Sequence, residues 1–158
     1  MTGAVARIRV LEPADVPAVT QLVVEVLGEF GFTAQVGGVE GDLREMRERY
    51  GGTTAGFWVA DLAGVVVGTV AIRPKDEGRT CELKRLYVRP DQRGTGLGQR
   101  LYAHAETFAR SAGYERIWLD SSRRFARAHR LYERNGFVLL ESLHNDWEDD
   151  VFEKDLRK

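Results

Sequence analysis

The chain has 158 residues, 43% of them hydrophobic and 30% charged, which is the size and make-up of one folded domain and not of a disordered chain. Its single cysteine, Cys81, excludes an internal disulfide framework and a multi-cysteine zinc site, and the scattered His104, His129 and His144 lack metal-ligand spacing, so no metal is expected. Net charge is −1, no apolar run approaches the ~20 residues of a membrane span, and Met1–Leu11 lacks a signal-peptide core, so a soluble cytoplasmic protein with no membrane partner is expected.

Ala6–Leu11 alternates as a first strand. Val16, Val19, Leu22, Val23, Val26, Leu27 and Phe30 recur at helical spacing, with Asp15 as N-cap and Gly31 as stop. Residues 31–40 read as a loop around Gly37-Gly38, and a short second helix follows, capped by Asp42 with Glu45 three residues on and with Leu43, Met46 and Tyr50 on one side. Phe57–Leu62 and Val65–Ile72 form a hairpin around Ala63-Gly64. Thr80–Val88 is the next strand; strict alternation puts Glu82, Lys84, Leu86 and Val88 on one face and Cys81, Leu83, Arg85 and Tyr87 on the other.

After Pro90, the turn Arg93-Gly94-Thr95-Gly96-Leu97-Gly98 runs into a helix with Leu97, Leu101, Ala105, Phe108 and Ala112 on its apolar face and Gly113 as stop. Arg116–Asp120 is a strand, so strand, helix and strand make a parallel crossover. Phe125, Ala128 and Leu131 mark another helix ended by Asn135-Gly136, and Phe137–Ser142 and Asp150–Leu156 close the chain as strands. One α/β domain, residues 1–158, with a mixed sheet is the expected architecture.

Charge and glycine coincide in the second half. Lys84–Arg134 holds 12 basic and 5 acidic residues, a site for a polyanion, and a small phosphorylated cofactor needs fewer charges than nucleic acid. Glycines let the backbone bend tightly and approach a ligand, and a helix start offers unpaired N–H groups to anions. The turn ends Gly98-Gln99-Arg100, which fails the Walker P-loop, and Gln99 stands where a dinucleotide fingerprint needs glycine.

Arg93-x-x-Gly96-x-Gly98, with the extra Gly94, resembles the acetyl-CoA pyrophosphate motif of the Gcn5-related N-acetyltransferases, the GNAT family. Ala128-x-x-Leu131-Tyr132-x-x-x-Gly136-Phe137 resembles the same family's later helix-to-strand motif, and the element order fits over nearly the whole chain. The resemblance implies a single-domain GNAT fold, a mixed, mostly antiparallel sheet of about seven strands flanked by about four helices. It implies acetyl-CoA as co-substrate, with Leu86, Tyr87 and Val88 holding the pantetheine arm and Arg93, Gly94, Thr95, Gly96, Leu97 and Gly98 holding the pyrophosphate through backbone amides. An amide near Leu86 or Tyr87 would polarise the thioester carbonyl.

Tyr132 matches the family's general acid, which protonates the departing thiolate. Glu82, eleven residues before Arg93, matches a general base of the histone-acetyltransferase branch; Asp120 and His129 are weaker candidates, His129 reading as a solvated helix residue. Relatives often carry Asn where this chain has Phe125, so Ser121 or Ser122 would have to supply that polar contact. Arg124, Arg127 and Arg130 are candidates for the 3′-phosphate.

The implied activity is direct acetyl transfer to a primary amine of a small molecule or of a peptide or protein; Cys81, facing away from Glu82, is no acyl carrier. Asp146, Glu148, Asp149 and Asp150 beside Trp147 read as an acidic, aromatic acceptor rim suited to a cationic amine. The alternative is a non-catalytic acyl-CoA-binding regulatory module, which would need neither Tyr132 nor Glu82. No nucleic-acid partner is expected, and a homodimer is left open.

Overall fold

The computed structural model describes all residues except 1–3, 35–36, 39–40, 42–43, 46–47, 49–51 and 77. The strands are β1 (Arg7–Val10), β2 (Gly56–Leu62), β3 (Val65–Pro74), β4 (Thr80–Val88), β5 (Arg116–Ser122), β6 (Val138–Ser142) and β7 (Asp149–Asp155). The helices described along their whole length are α1 (Val16–Glu29), α2 (Leu97–Ser111) and α3 (Ala126–Arg134). Asp42, Leu43, Met46 and Tyr50, on which the second expected helix rests, lie outside the described residues. Gly37 and Gly38, read as loop, are helical.

The sheet order is β1-β2-β3-β4-β5-β7-β6. Every neighbouring pair is antiparallel except β4 with β5, so the single parallel contact is the one the α2 crossover creates. Each face of the sheet carries its own core. On one, Leu101, Tyr102 and Ala105 of α2 and Leu131 and Tyr132 of α3 pack on Val70, Ile72, Cys81 and Leu83. On the other, Val19, Val23 and Leu27 of α1 pack on Phe57, Val59 and Ala71.

Two sequence expectations change. Asp15 is not the side-chain cap of α1; its carboxylate accepts the Glu12 amide at 2.8 Å and two Arg9 nitrogens at 2.7 and 2.9 Å, closing a 3-10 turn at Pro13–Asp15. The alternation of β4 breaks at Arg85. Lys84 pairs with Ala71 and Tyr87 with Thr69, so two residues of β4 stand opposite Val70 alone. Arg85 takes φ +55° to make this bulge. One extra residue flips every later side chain to the other face. Leu86 and Val88 therefore join Cys81 and Leu83 on the α2 side, and Tyr87 joins the α1-side core. Among the described residues no helix is long and apolar enough to cross a membrane.

Candidate active site

β4 and β5 pair only at Thr80–Arg116, Cys81–Ile117 and Glu82–Trp118. Beyond that they diverge, while β5 stays paired with β7 to Ser122. The divergence opens a cleft of about 870 Å³, lined by Leu83–Val88 on one side and Asp120–Ser122 on the other. That is the size of a cofactor site. The bulge sits on its wall. Thr69, fully buried, donates its hydroxyl to the Arg85 carbonyl at 2.7 Å.

At one end of the cleft is the glycine turn. Gly94 and Gly96 have φ +79° and +85°, conformations open to glycine at little cost. Gly96 is the N-cap of α2, and the first amide claimed by the helix is Arg100 N–H, which donates to Gly96 O at 3.1 Å. Among the described residues the amides of Gly94 through Gln99 donate to no backbone carbonyl. A row of unpaired donors at a helix start is a cradle for a diphosphate. A Cβ on Gly98 would meet only Leu131 Cδ1 at 3.5 Å and Val88 Cγ2 at 3.8 Å, so glycine is not required there for packing.

Arg93 plays a different part from its neighbours. Its amide already donates to Pro90 O at 3.3 Å. Its side chain donates to Val88 O at 3.1 Å and pairs with Glu29 at 2.6 Å, tying the end of α1 to the end of β4. Beside the turn, Gln99 and Asn135 exchange side-chain amide bonds at 3.0 and 2.8 Å, which locks the start of α2 to the end of α3. Arg127, Arg130 and Arg134 all line the cleft from α3 and form no ion pair among the described residues. Their i, i+3, i+7 spacing places them on one face of the helix.

Tyr132 reaches the cleft from the same helix, with its residue surface 4% exposed. Burial, with a smaller contribution from the charge Tyr87 would carry, pushes its phenol well above the usual range. It is therefore protonated at neutral pH.

The other end of the cleft is aromatic. Phe125 packs edge-on to Phe30 at 4.8 Å and lies 6.4 Å from Tyr87, and Trp147 stacks on Phe32 at 4.3 Å. Phe125 is thus an aromatic hub in place of a polar contact, and Ser122 instead accepts the Arg124 amide at 3.2 Å. Arg124 donates to Phe30 O and to Glu148, both at 3.0 Å, and stacks on Phe32. It clamps this end together.

Half of the expected acidic rim is neutralised. Glu148 pairs with Arg124, and Asp150 with Arg123 at 2.9 Å. Asp149 alone of the four lines the cleft. Its pKa is raised, first by burial and further by Asp120 and Asp150.

Glu82 does not reach the cleft lining; it accepts Arg73 Nε at 2.8 Å from the neighbouring strand. His129 is not solvated. It lies between Ser121 O at 3.2 Å and Asp150 at 3.7 Å, against Phe152. The Cys81 thiol is fully buried, and burial pushes it up to about 12.

The family model described as Acetyltransferase (GNAT) family matches residues 25–137. The chain belongs to the GNAT family. As a GNAT protein it is an acetyl-CoA-dependent N-acetyltransferase. An Escherichia coli relative, the uncharacterized N-acetyltransferase YjgM, is 35% identical over 127 residues, 78% of this chain and 76% of that protein. An uncharacterized N-acetyltransferase of Schizosaccharomyces pombe is 34% identical over 85% of this chain and 83% of its own. The human N-acetylaspartate synthetase is 41% identical over 81 residues, 51% of this chain and 27% of that one. A GNAT acetyltransferase structure from Staphylococcus aureus Mu50 superposes with TM-score 0.85 at 18% identity, covering 96% of this chain and 99% of its own. The Salmonella typhimurium yncA structure, determined with acetyl-CoA, superposes with TM-score 0.76 at 20% identity over 96% and 94%.

In this GNAT chain, seven of the nine residues expected at the cofactor line the cleft: Leu86, Tyr87, Val88, Arg93, Gly94, Gly96 and Gly98. Thr95 does not, and its hydroxyl donates to Gln92 O at 2.6 Å. Leu97 does not either, because it is the first core residue of α2. Sequence reasoning missed Arg134, which the helical spacing from Arg127 could have supplied, and Thr69, for which the sequence carries no signal.

Proposed function

We propose that this GNAT chain passes an acetyl group from acetyl-CoA directly to a primary amine of a small molecule or peptide. The observation that carries the reading is the divergence of β4 from β5, which joins a diphosphate cradle on the α2 side to an aromatic chamber on the α1 side through one opening beside Tyr132. Bound acetyl-CoA supplies an activated thioester.

Each further step belongs to the chain's own groups. The amides of Gly94, Gly96, Gly98 and Gln99 hold the diphosphate, and Arg127, Arg130 and Arg134 hold the 3′-phosphate. The backbone amide at Leu86 or Tyr87, fixed by the bulge, donates toward the carbonyl oxygen as charge builds there. The Tyr132 phenol gives its proton to the departing sulfur. Asp149 takes the ammonium proton, directly or through one water; a cleft-lining carboxylate with a raised pKa suits that task better than Glu82, which is held by Arg73 outside the lining. Cys81, buried and protonated, supports direct transfer without an acyl-enzyme. Holding amine and thioester side by side adds effective molarities of ~10⁵ M or more. The name of the N-acetylaspartate synthetase relatives, whose product is an acetylated amino acid, favours a small-molecule acceptor.

Release of free thiol across a panel of amines tests the reading. Steady turnover with at least one amine is expected. A rise in melting temperature with acetyl-CoA, but no thiol release from any amine, would instead support the non-catalytic CoA-binding alternative.

A further inference from the structure

The charges of the aromatic chamber do not match the cationic amine that the acidic stretch suggested. Lys84 pairs with Ala71 in register, and Ala71 belongs to the α1-side core, so Lys84 stands on the acceptor face of β4. It lines the cleft and is half-buried. Leu86, where the carbonyl-polarising amide is proposed, is two residues along the strand, about 7 Å at the usual rise per residue. A lysine side chain is long enough to span that distance.

Two carboxylates of the surrounding elements are engaged elsewhere. Glu82, next on the same face, pairs with Arg73 at 2.8 Å, and Glu29 pairs with Arg93 at 2.6 Å. Among the described residues Lys84 makes no ion pair. Arg85, adjacent at the bulge, lines the same wall. A cation beside the reacting centre repels a purely cationic acceptor and attracts one that brings its own negative charge. Across the chamber, Asp149 is the cleft-lining carboxylate of the acidic stretch. A positive wall facing a carboxylate complements a zwitterion.

We infer that the acceptor carries a carboxylate next to its amine, as an amino acid does, with Lys84 binding the carboxylate while Asp149 meets the ammonium. This rests on the transfer reading above. Its test separates the two. L-aspartate, L-leucine and L-phenylalanine are each assayed beside the corresponding α-carboxamide, by thiol release and, without cofactor, by calorimetric binding. The free acid of at least one pair is expected to exceed its carboxamide about 10-fold or more in kcat/KM, mostly through KM. Lys84→Met should reduce that ratio to near unity with acetyl-CoA affinity unchanged, and Lys84→Arg should restore it.

Turnover of the carboxamides as fast as the acids keeps the transfer reading and overturns this one. Selective binding of an acid with no thiol release keeps this inference and overturns the transfer reading. The wild-type comparison needs no variant, so a misfolded Lys84→Met leaves the inference fully exposed to refutation.

Discussion

Thr69→Val removes one hydroxyl from a fully buried site and replaces it with a methyl group of nearly the same volume. In the native chain that hydroxyl donates to Arg85 O at 2.7 Å. The loss takes that bond from the part-buried Arg85 carbonyl, at a cost of about 1–3 kcal/mol. Arg85 is also held at φ +55°, a left-handed conformation that costs a non-glycine residue about 1–2 kcal/mol. Removing its anchor lets that strain relax by moving the bulge. For a domain of this size 1 kcal/mol shifts Tm by roughly 2–4 °C, so a fall of about 2–12 °C is expected. The catalytic effect should be larger. Displacing one carbonyl-polarising amide costs about 10²-fold in kcat. Differential scanning fluorimetry and the thiol-release assay measure the two, and Thr69→Ser, which keeps the hydroxyl, should stay close to wild type in both. A Tm loss of the expected size with kcat unchanged would show that the bulge does not position the reacting carbonyl. No change in either would show that the Thr69 bond does not hold the bulge.

Four other outcomes follow from the geometry. Gly98→Ala should raise the melting temperature of the free protein, since alanine is favoured over glycine in a helix by about 1 kcal/mol and its Cβ meets only ordinary contacts. The same variant should shrink the melting shift produced by acetyl-CoA, because that Cβ borders the cradle; an undiminished shift places the diphosphate elsewhere. Tyr132→Phe should lower kcat by about 10–100-fold with acetyl-CoA affinity within about 3-fold of wild type by calorimetry; wild-type turnover removes Tyr132 from the reaction. Asp149→Asn should erase an acid limb of kcat/KM lying above the ordinary carboxylate range, while Glu82→Gln leaves that limb in place; the opposite pattern in the pH profiles would return the base role to Glu82. Asp15→Asn should cost about 1 kcal/mol at pH 7, since its pair with Arg9 borders solvent. Arg9 holds the Asp15 carboxyl below its unfolded value, so that contribution is present above the ordinary carboxylate range and fades as pH falls through the folded pKa. Urea melts at pH 7 and pH 3 check the difference.

What the chain made legible is what local rules control. The apolar spacing of Val19, Val23 and Leu27, the stops at Gly31 and Gly113, and the glycine turn before Leu97 follow from backbone propensity and periodicity, and each stands where those rules put it. The bulge was hidden because Arg85 is an ordinary residue for a strand and carries no glycine to mark a positive φ. Period-two alternation therefore assigns Leu86, Tyr87 and Val88 to the wrong faces, although all three line the cleft. Glu82 was chosen by its offset from Arg93, and an offset cannot reveal that Arg73, on another strand, holds the carboxylate. The aromatic chamber was equally hidden, since Phe32, Phe125 and Trp147 come from separate segments and only the tertiary fold brings their rings together.

The sheet is, mechanically, two panels hinged along three rungs. One panel holds β1 to β4, the other β5, β7 and β6, and the seam between them is the short pairing at Thr80–Glu82. A molecule lodged past the seam touches both banks and adds the stitching that the backbone leaves out, so saturation and stiffening become one event. Ligand at a hundred times its Kd stabilises the native state by about 2.7 kcal/mol. In this architecture that gain should concentrate as slowed amide exchange at Leu83–Val88, instead of spreading evenly over the molecule.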